Sequence, residues 1–499
     1  MGKFLFILFA LYITTPSFGT RWIIGHGQTY TKPSEIVNLV ADTDTIYIAP
    51  GVYEQDACKW KNKNLVFVGM GTSQWKTTMK YTGNIPNGKG IWVFENPGSN
   101  DNIEIQNIDF EGAQVSDNDG GNGAGIRFQA KNIILRNVGF RNCQNGLLEG
   151  HGAVTGSNVE IYNCEFYNNG YQEENNSQHS GYEHNIYISA SADTFWVENS
   201  FFHHPRGQGN SLKTRALNSF ILYNMFDEED GYGSYEINIA QGGNNIIMGN
   251  VIIQGNEGSN HSIVGYDEAI NPVNEFYFIN NTVINKFPGN NRYFNISPAD
   301  GITTFKVYNN IFASVPAADN TFIAGNVPSG IDTSNNYFAT DFKQAGFTDA
   351  LNNDFSIRED ALHLINQGIN AGSTNTGFEL LPLFSYNGYD QLPIARHSYG
   401  SAIDIGAFEY EFVSGIKRIP SIPVSITPNP NKGIFKIKSP DIIEKRIEIM
   451  DQFGNPIKFA RADMSEDMIR IDLKNQFTGI LVVIIYTGNQ ISLSKVVVI

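Results

Sequence analysis

Lys213 and Arg215 stand two residues apart in the run Leu212-Lys213-Thr214-Arg215. If this run is a strand with Leu212 and Thr214 turned inward, both cations project from its outer face. A half-buried amine beside a guanidinium gives up its proton more readily than an isolated lysine, so Lys213 is a candidate base. Arg215 offers a planar fork suited to a carboxylate. Tyr187, or Tyr235 at a strand start, offers a hydroxyl that can protonate a leaving oxygen. A base, a carboxylate neutraliser and an acid are what β-elimination on a uronate requires.

The same alternation runs through neighbouring segments. With Ile126 and Phe128, Ile186 and Ile188, Leu212 and Thr214, Ile237 and Ile239, and Phe294 and Ile296 inward, an outward stripe is expected. It carries Arg127, Gln129, Glu149, His151, Asn185, Tyr187, Lys213, Arg215, Glu236, Asn238 and Asn295. The longest insertions flank its centre and bring His203, His204 and Arg206; adjacent histidines on a strand point to opposite sides, so one at most faces the groove. Arg127, Glu149, His151, Asn185, His203, Arg206, Asn238 and Gln241 are the candidate substrate contacts. Glu236 and Asn238 are candidate ligands for a calcium ion, the alternative to Arg215 as neutraliser. Taken singly, Lys213, Arg215 and Glu236 also fit a solvated ion ladder worth about 0–1 kcal/mol per pair. A glycoside hydrolase is a further alternative, pairing Glu236 with Glu149 or with a residue from Asp227 to Asp230. A non-catalytic glycan binder is the third.

The elements that must position these residues are repeats. Apolar alternation followed by Asn, two residues and a large apolar residue recurs, as in Ile103-Glu-Ile105-Gln-Asn107-Ile-Asp-Phe110 and Ile133-Ile-Leu135-Arg-Asn137-Val-Gly-Phe140. Further copies centre on Asn163, Asn199, Asn250, Asn281, Asn309 and Asn335, with a degenerate one at Asn224. The spacing of 25 to 36 residues is too long for hairpins and fits one coil of a three-sided solenoid. These asparagines are expected in one column, because Asn tolerates the left-handed bend and its amide bonds to the coils above and below.

Composition agrees. The 499 residues carry 34 Lys and Arg against 50 Asp and Glu, a formal charge of −16. Nucleic acid is therefore excluded as a partner, and an anionic glycan needs a local positive island or a metal. Three cysteines make no disulfide framework. A basic Lys3, an apolar run from Phe4 to Ile13 and the small-residue stretch ending at Gly19 read as a secretory signal over 1–19. Ten apolar residues are too few to span a bilayer. A monomer is expected.

Pro33-Ser-Glu-Ile36-Val37-Asn-Leu39-Val40 reads as a short amphipathic helix closing one end. The run from Asp44 to Tyr53 then resembles the opening of the pectate-lyase-like superfamily of right-handed parallel β-helices. Ile403 to Tyr410 resembles the closing segment of bacterial secreted β-helix proteins. Residues 20–412 are thus assigned to an all-β, three-sheet solenoid, and 413–423 to a linker. Residues 424–499 read as a small antiparallel β-sandwich. Pro428-Asn-Pro430 to Gly433-Ile-Phe435, with the late Gly479 and Lys495, resembles the type A C-terminal sorting domain of type IX secretion. The family's usual Tyr is Leu481 here. This resemblance implies a Bacteroidetes-type bacterium, the type IX machinery as partner, and release or surface attachment.

Leu212-Lys213-Thr214 through Phe226 and the next coil resembles the catalytic coils of alginate and chondroitinase-B-like lyases, and Lys213 matches their base. Their Arg-His-Gly segment is Ala240-Gln241-Gly242 here, and their acidic calcium ligands are replaced near Gly209 and Asn210. Gly150-His151-Gly152 resembles a polygalacturonase motif whose partner segments are missing. The expectation is a lyase acting on an acidic polysaccharide.

Overall fold

The computed structural model describes residues 19–498 except 73–75, 96–100, 151–153, 172–178, 180, 412–423, 430, 440–441, 443–445, 452–454, 466, 474–476 and 488–489. The expected signal segment, apart from Gly19, and the linker 413–423 lie outside the described residues. The chain divides into two compact units, Met1–Glu411 and Phe412–Ile499.

The first unit winds through three parallel sheets of twelve, eleven and ten strands. In one coil, Asn102–Gln106 lies in the 12-stranded sheet, Ile108–Glu111 in the 11-stranded sheet and Ala124–Phe128 in the 10-stranded sheet. Asn132–Arg136 then re-enters the first sheet, with Asn132 opposite Asn102 and Arg136 opposite Gln106. This is the three-sided solenoid expected from the repeat and the right-handed parallel β-helix implied by the resemblance. Apolar residues alternate inward on all three walls and merge into one long core. Phe110, Phe140, Phe166, Phe202 and Phe226 stack in that core at 5.5, 4.9, 4.6 and 4.8 Å between ring centroids, close to the spacing of hydrogen-bonded strands.

The asparagines form two columns, not one. At the single-residue corner between the 12- and 11-stranded sheets stand Asn107, Asn137, Asn163, Asn199, Asn280, Asn309 and Asn335, all with φ between 48° and 58°. Tyr223 and Gly249 take the same place on the two intervening coils. Asn224, Asn250, Asn281, Asn310 and Asn336 occupy the next position. There the backbone N–H of each of the first four donates to the Oδ1 of the asparagine one coil on, at 2.7–2.9 Å. Asn250 and Asn281, expected in the first column, therefore belong to the second. Their apolar partner is two residues on at Ile252 and Val283, as it is for Asn224 and Phe226. Interior burial, not the left-handed bend, selects asparagine at these positions.

The expected helix over Pro33–Val40 is a single 3-10 turn, Pro33–Glu35. Eight residues barely meet the cost of helix nucleation, and Ile36 and Val40 reach the core from the turn that follows. At the far end a strap leaves the last coil and runs back along the left-handed column. Asn335 donates to the Gln367 carbonyl, Asn309 to Ile369, Asn199 to Gly388 and Gln391, and Asn163 to Gln391. Phe384–Ser385 pairs antiparallel with Ile394–Ala395, and the returning arm offers the Asp404 carbonyl to Asn280.

The second unit holds antiparallel sheets of four and three strands. They share one core containing Phe435, Ile437, Ile449, Ile471, Val483 and Leu481. Leu481, where the sorting family usually has Tyr, is fully buried in that core.

Asn281→Ala should cost about 2–4 kcal/mol, because it leaves the buried Asn250 N–H and Ile247 carbonyl without the partners they have now. Asn132→Ala, in an exposed amide ladder on Asn102, should cost less than about 1 kcal/mol. Denaturant melting of the two variants checks the difference.

Candidate functional site

The outer face of the 10-stranded sheet carries a continuous column. Its register runs Arg127, Leu148, Tyr187, Lys213, Asn238, Gly265, Asn295. The neighbouring inward positions, Ile126, Leu147, Ile186, Leu212, Ile237, Val264 and Phe294, are fully buried. Alternation thus places Arg127, Tyr187, Lys213, Asn238 and Asn295 together, as expected, and Arg215 follows on the same side.

Arg215 Nε donates to the Tyr187 hydroxyl at 3.0 Å, and its guanidinium lies 5.9 Å from the Tyr187 ring centroid. Burial, then the Arg215 charge, pushes the Lys213 ammonium below its ordinary range, with Asp267 opposing. His184 stacks on Tyr187 at 5.8 Å. Burial, Lys213 and Arg215 hold its imidazole well below the ordinary value, so it is neutral. Its Nδ1 accepts from the Asn210 backbone N–H at 3.0 Å, which leaves the ring proton on Nε2. Asn238 donates to Asp267 at 3.0 Å. Two coils on from Asn238, Asn295 donates to the Tyr235 hydroxyl at 2.8 Å, and burial pushes that phenol up, keeping it protonated. Gly265 makes room for Tyr235: a Cβ there would sit 2.8 Å from the ring. Arg127 lies over Gly150, and its buried Nε has no partner among the described residues.

Other expected contacts lie elsewhere. Glu149 faces inward opposite Phe128, is fully buried, and accepts from Ser157 Oγ and from Ser189 N and Oγ. The consecutive Leu147-Leu148 pair is the reason: Leu148, not Glu149, takes the outward place, and a slip of one residue changes faces. Asn185 has outward parity but precedes the strand and is buried, accepting from Asn169 at 2.9 Å. His203 belongs to the 11-stranded sheet, between Glu165 and Glu229, at 3.4 and 3.0 Å. Burial would lower it, but those two carboxylates outweigh burial and raise it. Arg206 lies in the following loop and donates to the Gly170 carbonyl at 3.3 Å. Gln241 follows the strand Ile237–Ile239 and is half-buried. His151 lies outside the described residues.

Glu236 and Asn238 do not fit a calcium ion. Glu236 is buried, accepts from Ser211 at 2.8 Å and faces Glu228. Asn238 is taken up by Asp267 and by Asn210. Calcium needs six to eight oxygens, and burial with the Glu228 charge drives Glu236 well up, towards its neutral form. His184 and Asp267 are the groups that the sequence analysis missed. Asp267 was within reach: continuing the alternation past Tyr266 gives Gly265 and Asp267 as outward. His184 carried no such signal, since it ends the long insertion before the strand begins.

Residues 425–499 match the secretion system C-terminal sorting domain. The protein is thus a parallel β-helix exported by type IX secretion, then released or held at the cell surface. No curated protein matches the chain in sequence. Among solved structures, pectate lyase Pel9A is similar at 14% identity over 79% of this chain and 97% of that one, with a TM-score of 0.39. A PL6-family alginate lyase shows 11% identity over 83% and 60%, with a TM-score of 0.32. The tailspike capsular polysaccharide depolymerase of Acinetobacter baumannii bacteriophage Fri1 shows 9% over 96% and 78%, at 0.25. These values carry no reaction across to this chain.

Two expectations follow. A chain ended at Glu411 should keep the melting transition of the β-helix but stay in the periplasm of its natural host; fractionation and calorimetry check this. The buried Glu228 carboxyl is pushed up to about 8, chiefly by burial. The folded chain therefore holds a proton that the unfolded chain has already released above the ordinary 4.5. Stability should fall as pH rises from about 4.5 towards 8, and Glu228→Gln should flatten that fall in melting temperatures measured across the window.

Proposed function

We propose that the column around Lys213 cleaves an acidic, uronate-containing polysaccharide by β-elimination. The observation that carries this reading is the half-buried Lys213, with its proton loosened by burial and by Arg215, on one face with a phenol held by that same Arg215. On an acidic chain, Arg127, Lys213 and Arg215 form the local positive island an anionic glycan needs.

In this mechanism Arg215 or Arg127 pairs with the C6 carboxylate and acidifies the C5 proton. The fraction of Lys213 that has given up its own proton, enlarged by burial and by Arg215, takes that proton. The C5 electron pair forms the C4–C5 double bond as the C4–O4 bond breaks. The Tyr187 hydroxyl accepts from Arg215 Nε, so its own hydrogen is available to the leaving oxygen; Tyr235 is the alternative acid. A hydrolase would need two carboxylates facing one bond, whereas Glu149 faces inward opposite Phe128 and Glu236 is buried and held by Ser211.

Incubation with a panel of polyuronates, followed by the absorbance of the unsaturated product, tests the reading. Lys213→Ala should lower kcat by about a thousandfold with the fold intact. Arg215→Ala should mainly raise KM. With arginine as neutraliser, a chelator should leave turnover unchanged. Wild-type rates in Lys213→Ala remove the lysine as base, and binding without unsaturated ends makes the protein a glycan binder.

A further inference from the structure

A polar cavity of about 430 Å³ opens at the corner between the 12- and 11-stranded sheets, away from the 10-stranded sheet that carries Lys213. Its walls include Asn107, Asn137, Lys76, Asp109, Arg141 and Tyr389. Two features say what it would hold.

The first is the left-handed asparagine column. From Asn335 down to Asn163 its amides donate to carbonyl oxygens of the strap. The strap turns back beyond Gln391, and the column continues past it. Asn137 donates to Asn107 Oδ1 at 2.8 Å, and Asn107 Nδ2 has no partner among the described residues. The corner thus presents to the cavity the amide array that elsewhere binds a row of acceptor oxygens. The second feature is charge. Arg141 is held by Asp109 at 2.8 Å and by Glu165, and Lys76 lies 3.5 Å from Asp109. Gly139 leaves space for that cluster, since a Cβ there would fall 2.3 Å from Asp109 Oδ1. Each cation in the wall already has its counter-ion, so the cavity makes no demand for an anion.

We infer that this cavity is a binding site for a neutral, hydroxyl-rich sugar unit, separate from the Lys213 groove. Sugar hydroxyls both donate and accept, which suits asparagine amides and a paired ion cluster. They take the place that strap carbonyls hold on later coils. The Tyr389 ring offers a flat apolar surface to the C–H face of a pyranose, and the volume lies within the range of small-ligand sites. The inference is independent of the reaction proposed for the groove.

Titration calorimetry on the full chain tests it, with cellohexaose, xylohexaose and mannohexaose as probes and trigalacturonate as the charged comparison. At least one neutral hexaose should bind. Asn107→Gly, which keeps the left-handed bend and removes the amide, should weaken that binding about tenfold. Tyr389→Ala should do the same by another route, and thermal melting confirms that each variant is folded. Lys213→Ala should leave the affinity unchanged. The inference fails if no neutral hexaose binds, if both cavity variants bind as wild type, or if the binding is lost in Lys213→Ala.

Discussion

Stacked coils must repeat at the spacing of paired strands, and at one corner each coil must turn on a single residue. That turn exposes a backbone N–H inside the wall that the next coil has to satisfy. The interior asparagines meet the demand, with each side-chain oxygen accepting from the main chain of the neighbouring coil. An unpaired amide there would cost more than most surface interactions contribute. From Asn224 to Asn336 this ladder adds side-chain ties to the parallel backbone pairing that sets the vertical spacing of the outer faces. Tyr187, Lys213 and Asn238 are neighbours because parallel backbone pairing holds their strands in register, not because they attract one another.

The β-helix was legible because its period is written in residues with few alternatives. Asn107, Asn137 and Asn163 are selected by a positive φ that most side chains resist. Where selection changed from conformation to burial, at Asn250 and Asn281, the same letter marked a different position, and the column was misread by one. Glu149 failed for a related reason: alternation carries no phase information across two consecutive leucines. Asn185 and Glu236 failed differently. Their parity was outward, but parity reports the side of a strand and not whether a neighbouring loop covers it. Arg127, Tyr187, Lys213 and Asn238 were found because unbroken alternation surrounds each of them.

The groove concentrates positive charge on a chain that is otherwise acidic, and it does so with groups that gain little from one another. Lys213 and Arg215 repel, and both hold His184 neutral. Asp267 opposes them in the Lys213 environment. Such an arrangement is poor for stability and suited to a ligand that brings its own negative charge.

The strap alters the character of the solenoid. A bare stack of coils interacts only with its nearest neighbours, so it can unravel from either end one repeat at a time. Here Asn163 is tied to Gln391 across 228 residues of sequence, and Asn199, Asn309 and Asn335 are tied to the same segment. Losing the last coil would free amides midway along the stack, which couples distant repeats into one cooperative unit. The same ties raise the contact order, so that the middle coils reach their final hydrogen bonding only after the C-terminal part of the helix has been made.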